Sequence, residues 1–138
     1  MITPDKEYEF VSSQVRYHNE KIIEAFNLFI KLFSAVIGGS IWLRLQPGFD
    51  AAQGATYARM SNVLVTFLAA IACLMVAENL KSWHGYRWAQ ARLGGLDDKG
   101  EFRIPPPRTV RASVSEGAMM LTMVAAALLY WLFNPFNL

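Results

Sequence analysis

Three apolar blocks, residues 26–45, 60–80 and 117–133, constrain this chain more than any other feature of its sequence. A bilayer core about 30 Å thick takes roughly 20 helical residues, with a workable range near 17–25, and each block fits. Strands do not fit, because a lone sheet would leave backbone N–H and C=O groups unpaired in hydrocarbon. Hydrophobic residues make up 54% of the chain and charged residues 17%, against roughly a quarter charged in an ordinary soluble domain. The apolar surplus sits in the blocks and is not spread over one enlarged core. The sequence therefore predicts an all-α integral membrane protein, a single membrane domain over residues 1–138 with transmembrane helices at 26–45, 60–80 and 114–133. The first twenty residues hold four acids and no apolar run, unlike a secretory leader, so membrane entry is expected to rest on the three helices themselves.

Breakers and caps extend the first two helices beyond their apolar blocks. Thr3 followed by Pro4 and Asp5 reads as an N-cap with proline at the first helical position. From there to Leu45 only the Gly38 and Gly39 pair interrupts, and Pro47 with Gly48 ends the run. Residues 4–25 are thus a cytoplasmic helix continuous with the first span, and 46–59 an outer loop. The second helix is expected to continue over residues 81–93 until Gly94 and Gly95 stop it. Residues 94–113 form a basic loop with turn chemistry at Asp97 to Gly100 and a stiff spacer at Pro105 to Pro107. Ser113 with Glu116 three residues on reads as a capping box for the third helix.

Orientation follows from Lys and Arg. Seven of them, Lys81, Arg87, Arg92, Lys99, Arg103, Arg108 and Arg111, crowd the second loop, and none follows the third block. Positive loops stay inside, which puts the N-terminus and second loop in the cytoplasm and the C-terminus outside. A bacterial inner membrane is the expected location. Trp42, Tyr130 and Trp131 are read as outer interface anchors, and Trp83, Tyr86 and Trp88 as lying at or beyond the inner one.

Packing has two expected parts. Each span carries small residues at four-residue spacing: Ser34 with Gly38 and Ala35 with Gly39, then Ala69, Cys73 and Ala77, then Ala118, Thr122 and Ala126. Such stripes let helix backbones approach in lipid. Outside the membrane, Tyr8, Val11, Val15, His18 and Ile22 form a narrow seam. Its partner is the extension of the second helix, through Trp83, Tyr86 or Arg87, and Leu93. Asp5, Glu7, Glu9 and Glu20 stand opposite Lys81, Arg87 and Arg92, so an antiparallel helical pair is expected in the cytoplasm.

Ionisable residues supply the remaining candidates. Lys31 lies about five residues inside the first block, with Glu24 just outside it and Glu78 near the inner end of the second. A lysine at that depth reaches toward the interface by snorkelling, so an ion pair with Glu78 or Glu24 is the expected arrangement, in preference to a proton or ion relay. His18 and His84 would stand at one level of the pair, where two imidazoles would suit a haem iron or a transition metal. No carboxylate or third histidine completes a metal set, and no cofactor is expected. Lys81, Arg87, Arg92, Arg108 and Arg111 are expected to touch lipid head groups, while Asp97, Asp98 and Glu101 dilute the patch too far for nucleic acid. Cys73 is the single cysteine, so no intrachain disulfide exists.

No phosphate loop, nucleophile elbow, Cys-x-x-Cys or His-Glu-x-x-His motif occurs, so neither an enzyme nor a catalytic residue is expected. The function expected is that of a small polytopic membrane protein acting by interaction. It would serve as accessory subunit or homo-oligomeric scaffold, with lipids and other membrane subunits, or copies of itself, as partners. A homo-oligomeric channel lined by Ser61, Asn62, Thr66 or Lys31 is the rival class, and a bis-histidine haem protein the third.

Overall fold

The computed structural model describes residues 3–107 and 114–137, whose regular structure is all helical, with no strand among them. Helix α1 runs Pro4–Arg44, α2 runs Gly54–Leu93 and α3 runs Val114–Leu132. Each is long and apolar enough to cross a membrane. Arg108, Arg111 and Ser113 lie outside the described residues, so two of the expected head-group contacts and the capping box lie there too.

The helix ends follow local chemistry. Pro4 opens α1, and the carbonyl of Thr3 accepts from Glu7 N at 3.1 Å. At the other end Gly48 has φ +94°, a left-handed conformation that costs glycine nothing. Here the structure differs from the expected loop 46–59. Asp50 Oδ1 accepts from Ala52 N at 2.8 Å and caps a short 3-10 turn, Ala51–Gln53, that leads directly into α2 at Gly54. The capping side chain lets the helix start six residues before the apolar block. After α2, Gly95 at φ +70° turns the chain. Asp97 Oδ1 then accepts from Lys99 N at 2.9 Å and Glu101 N at 2.8 Å, which closes the loop expected from that turn chemistry.

The chain divides into two compact units, Met1–Glu24 with Met75–Ala118, and Ala25–Leu74 with Met119–Leu138. In the first unit the core is Val11, Ile22, Val76 and Ala91, each at most 6% exposed. Val15 and His18 are half-buried and Tyr8 lies at the exposed edge, so the α1 seam is largely where its spacing put it. On α2 the packed residues are Gln90 and Ala91, with Tyr86 and Arg87 half-buried; Leu93 is exposed.

In the second unit the core is Ala25, Phe29, Ala58, Val65, Ala69, Ala72, Met123, Ala127 and Tyr130. The small-residue stripes are only partly inside it. Ala69 is buried and Cys73 half-buried, its thiol 3.9 Å from Met120 O. Ser34, Ala35, Gly38 and Gly39 face outward, and a Cβ built on Gly38 or Gly39 would meet nothing within 4 Å. On α3 the packed side is Met123, Ala127 and Tyr130, one residue around from Ala118, Thr122 and Ala126; on α2, Ala77 of the first unit is exposed. Aromatic stacking replaces the backbone approach that the stripes suggested for α1. Phe29 stacks on Phe33 at 5.4 Å, and Phe33 meets Tyr130 edge-on at 6.0 Å. Such pairs contribute beyond the area they bury.

Candidate functional site

Polar side chains in a chain this apolar mark where specific work is done, and they fall into one cluster in each unit. In the second unit the hub is Asn134, two residues beyond α3 and 0% exposed. Its Nδ2 donates one N–H to Asn62 Oδ1 at 2.7 Å and shares the other between Ser61 Oγ at 3.1 Å and Ala58 O at 3.2 Å. Its Oδ1 accepts from Phe136 N at 3.0 Å. Ser61 Oγ also donates to Ala58 O at 3.1 Å. The following residues are held as well: Arg44 donates from Nη1 to Pro135 O, and Phe136 stacks on Phe49 at 5.9 Å and meets Tyr57 at a tilt at 5.5 Å. One turn further along, Ser40 and Tyr130 share a buried hydrogen bond of 2.8 Å. Tyr130 is therefore an interior residue and not the interface anchor that its place in the sequence suggested. Trp131 and Trp42 are exposed, with Trp131 Nε1 donating to Thr66 Oγ1 at 3.0 Å.

These contacts decide what Ser61, Asn62 and Thr66 do. Every one is bonded within the unit: the buried Ser61 and Asn62 join Asn134 to the start of α2, while the exposed Thr66 donates to Asn62 O and accepts from Trp131. Asn134 had no place among the sequence candidates. The signal available was the Asn-Pro dipeptide after the last apolar block, which marks a turn but says nothing of its partners.

In the first unit, His18 Nδ1 and Asn79 Oδ1 are 2.9 Å apart, and Asn79 Nδ2 donates to Met75 O at 2.8 Å. The His18 ring stacks on Tyr86 at 5.5 Å, with Tyr17 edge-on at 5.2 Å. His84 has a different neighbour, Trp83, edge-on at 5.2 Å. The two histidines thus serve separate contacts, and the described residues contain no group of three or more His, Cys, Asp or Glu placed to hold a metal. Farther along, Gln90 Nε2 donates to Ser12 Oγ at 3.0 Å and lies 3.5 Å from Tyr8 Oη, while Arg87 Nη1 donates to Gln90 Oε1 at 2.6 Å. Arg87 also lies over the Trp83 ring at 5.9 Å. Its Nε is the one buried side-chain nitrogen or oxygen without a partner among the described residues.

Charge pairing differs from expectation. Among the described residues the one ion pair joins Lys21 to Glu24, and this neighbour holds the Lys21 ammonium above its ordinary range. Glu24 is therefore engaged one turn away on its own helix. Lys31 is exposed and in no ion pair among the described residues, and Glu78 is exposed. Asp5, Glu7, Glu9 and Glu20 are likewise exposed and unpaired with Lys81, Arg87 or Arg92. Hydrated charges gain little from surface pairing, and the neutral Gln90, Ser12 and Asn79 make the contacts instead. Lys81 and Arg92 remain exposed. No protein-family model, curated protein or solved structure matches this chain.

Proposed function

We propose that the chain is an integral membrane protein that acts by interaction, as an accessory subunit or homo-oligomeric scaffold of a membrane complex. The observation that carries this reading is the destination of the polar side chains in the second unit. Ser40, Ser61, Asn62, Tyr130 and Asn134 are buried and bonded internally, so the outward surface is mostly aliphatic and aromatic, with Asn27, Lys31, Ser34 and Thr66 among its exposed polar residues within the apolar blocks. Only 17% of the most apolar window of α1 is buried, 33% of that in Ala51–Leu93 and 17% of that in α3. A surface of this kind suits lipid and other apolar helices. A water-filled pore would need outward polar groups; of the lining named for a channel, Ser61 and Asn62 are buried, while Thr66 and Lys31 are exposed.

In this reading residues 4–25 and 81–93 project into the cytoplasm as an antiparallel pair. Support comes from the order of contacts, since Tyr8 and Ser12 meet Gln90 while His18 meets Asn79 and Tyr86. Lys81, Arg87 and Arg92 are the proposed head-group contacts, with Lys81 and Arg92 exposed, and the basic loop would keep that side inside. A bacterial inner membrane is the proposed location.

Topology is tested by cysteines at Gln53 and Lys99, both exposed, in a Cys73→Ala background. An impermeant thiol reagent should label the Lys99 position only after the cytoplasmic side is opened, and the Gln53 position without it. Labelling of both from one side would remove a span and end this architecture. Function is tested by purification in mild detergent followed by native mass spectrometry. A fixed ratio of this chain to unlike subunits, or a closed homo-oligomer without conductance, is the expected result. A conducting ring of identical copies would replace the proposal with the channel reading.

A further inference from the structure

Arg44 is the last residue of α1 and is half-buried. A cation at this end runs against the bias that keeps Lys and Arg inside, so its place calls for a reason. The helix dipole favours it there, but its contacts leave much of the guanidinium unused. Its Nη1 donates to Pro135 O, and among the described residues it has no ion pair. Asp50, the next acid along the chain, accepts from Ala52 N as the cap of the 3-10 turn. One carbonyl occupies one guanidinium N–H, and the remaining donors suit the oxygens of a phosphate.

Pro135 also lines a groove of about 430 Å³ between α1 and α3, within the second unit. One wall is Phe33 and Ile37 of α1; the other is Ala126 and Leu129 of α3, with Phe133 just after it. Ile37 and Arg44 follow Phe33 by about one and about three helical turns, so the three form one stripe about 16 Å long. Tyr130 is 5% exposed and forms the floor, its hydroxyl taken by Ser40 at 2.8 Å and its ring edge-on to Phe33. The groove therefore runs from Phe33 and Ala126, at mid-span, to Pro135, where Arg44 stands. On the membrane reading, on which this inference rests, that end meets the outer leaflet.

We propose that an anionic phospholipid of the outer leaflet docks in this groove, with its phosphate on Arg44 and one acyl chain along Phe33, Ile37 and Leu129. A half-buried arginine bonded to the end of an apolar trough matches an amphiphile whose head is anionic. A zwitterionic lipid offers the same chain but sets a cation beside its phosphate, which weakens the attraction to Arg44.

The test titrates full-length protein in mild detergent with phosphatidylglycerol or phosphatidylcholine and counts bound lipids by native mass spectrometry. The first phosphatidylglycerol should bind more tightly than the first phosphatidylcholine. Arg44→Gln should weaken it about fivefold, the effect of one interfacial charge, and leave phosphatidylcholine nearly unchanged. Arg44→Lys should retain most of the preference. Arg59→Gln, at an exposed arginine near the start of α2, should change it far less. Ala126→Leu, which fills the inner end of the groove, should weaken both lipids with Arg44 in place. An unchanged preference in Arg44→Gln, or an equal loss in Arg59→Gln, overturns the site. So does a wild-type homo-oligomer that carries no lipid and falls to monomers in Ala126→Leu, which would give the groove to a second copy. Flotation with lipid vesicles reads the membrane proposal separately, and wild type and variants should all float. Wild-type protein that floats without preferring phosphatidylglycerol overturns the site alone; protein that neither floats nor binds lipid overturns both.

Discussion

Asn134→Leu should lower the stability of the second unit by about 3 kcal/mol, measured by titration with a denaturing detergent from a mild one. Asn62 Oδ1, bonded at 2.7 Å, loses its donor. The second N–H, shared by Ser61 Oγ and Ala58 O, is lost with it, although Ser61 Oγ still donates to Ala58 O. A hydrogen bond inside a membrane protein contributes roughly 0.6–1 kcal/mol. Leaving a buried polar atom without its partner costs about 1–3 kcal/mol more. Asn62→Leu should cost less, because Asn134 keeps Ser61 Oγ and Ala58 O. The double variant should fall short of the sum, as coupled partners do. Strict additivity, or an Asn134→Leu loss below about 0.5 kcal/mol, would mean that this cluster does not hold residues 134–137 in place. Asn134→Asp is no rescue, since a carboxylate would face Asn62 Oδ1 with no donor to offer.

The second large effect belongs to the other unit. Val11→Asp with Val15→Asp should melt the packing of α1 residues 5–20 on α2 residues 82–92, with a loss of about 3 kcal/mol or more. Val11 is 6% exposed and Val15 half-buried. A buried valine contributes roughly 1.5 kcal/mol, and a carboxylate forced into its place adds a desolvation penalty. Amide exchange over both stretches should quicken, while residues 60–74 keep their protection. The matching control is Phe10→Asp with Tyr17→Asp, at positions 56% and 49% exposed, which should change exchange little. Equal exchange in the two double variants would show that the α1 seam is not packed as described.

The candidate residues were legible to different degrees, for physical reasons that differ between the units. The α1 seam could be read because its surroundings are polar: Val11 and Ile22 stand out among Glu9, Arg16 and Glu20 at helical spacing. Leu93 misled because a single leucine at a helix end is as well exposed as buried, and Gln90 takes the inner position through Ser12. The glycine pair misled for another reason. Small residues permit close approach but do not compel it, and α1 meets α3 from the opposite side through Phe33 edge-on to Tyr130 and the Ser40–Tyr130 hydrogen bond. Asn134 was silent because its partners lie 72 to 76 residues away, beyond any local pattern.

What the sequence determined by itself is the number of the helices and the ends that Pro4, Gly48 and Gly95 mark; the start of α2 at Gly54 came from the Asp50 cap. Three apolar stretches of bilayer length admit no other regular structure. Pro4, Gly48 and Gly95 set boundaries through backbone geometry that needs no tertiary partner. Only the tertiary structure decided which side of each apolar helix is inside. Within such a stretch nearly every side chain is hydrophobic, so the periodicity that betrays a buried face in water is almost flat. The choice then rests on shape, as with Met123, Ala127 and Tyr130 on α3, and on a few hydrogen bonds such as Ser40 to Tyr130 and Asn134 to Asn62. Both depend on residues brought together from distant parts of the chain, and neither leaves a mark on the local sequence.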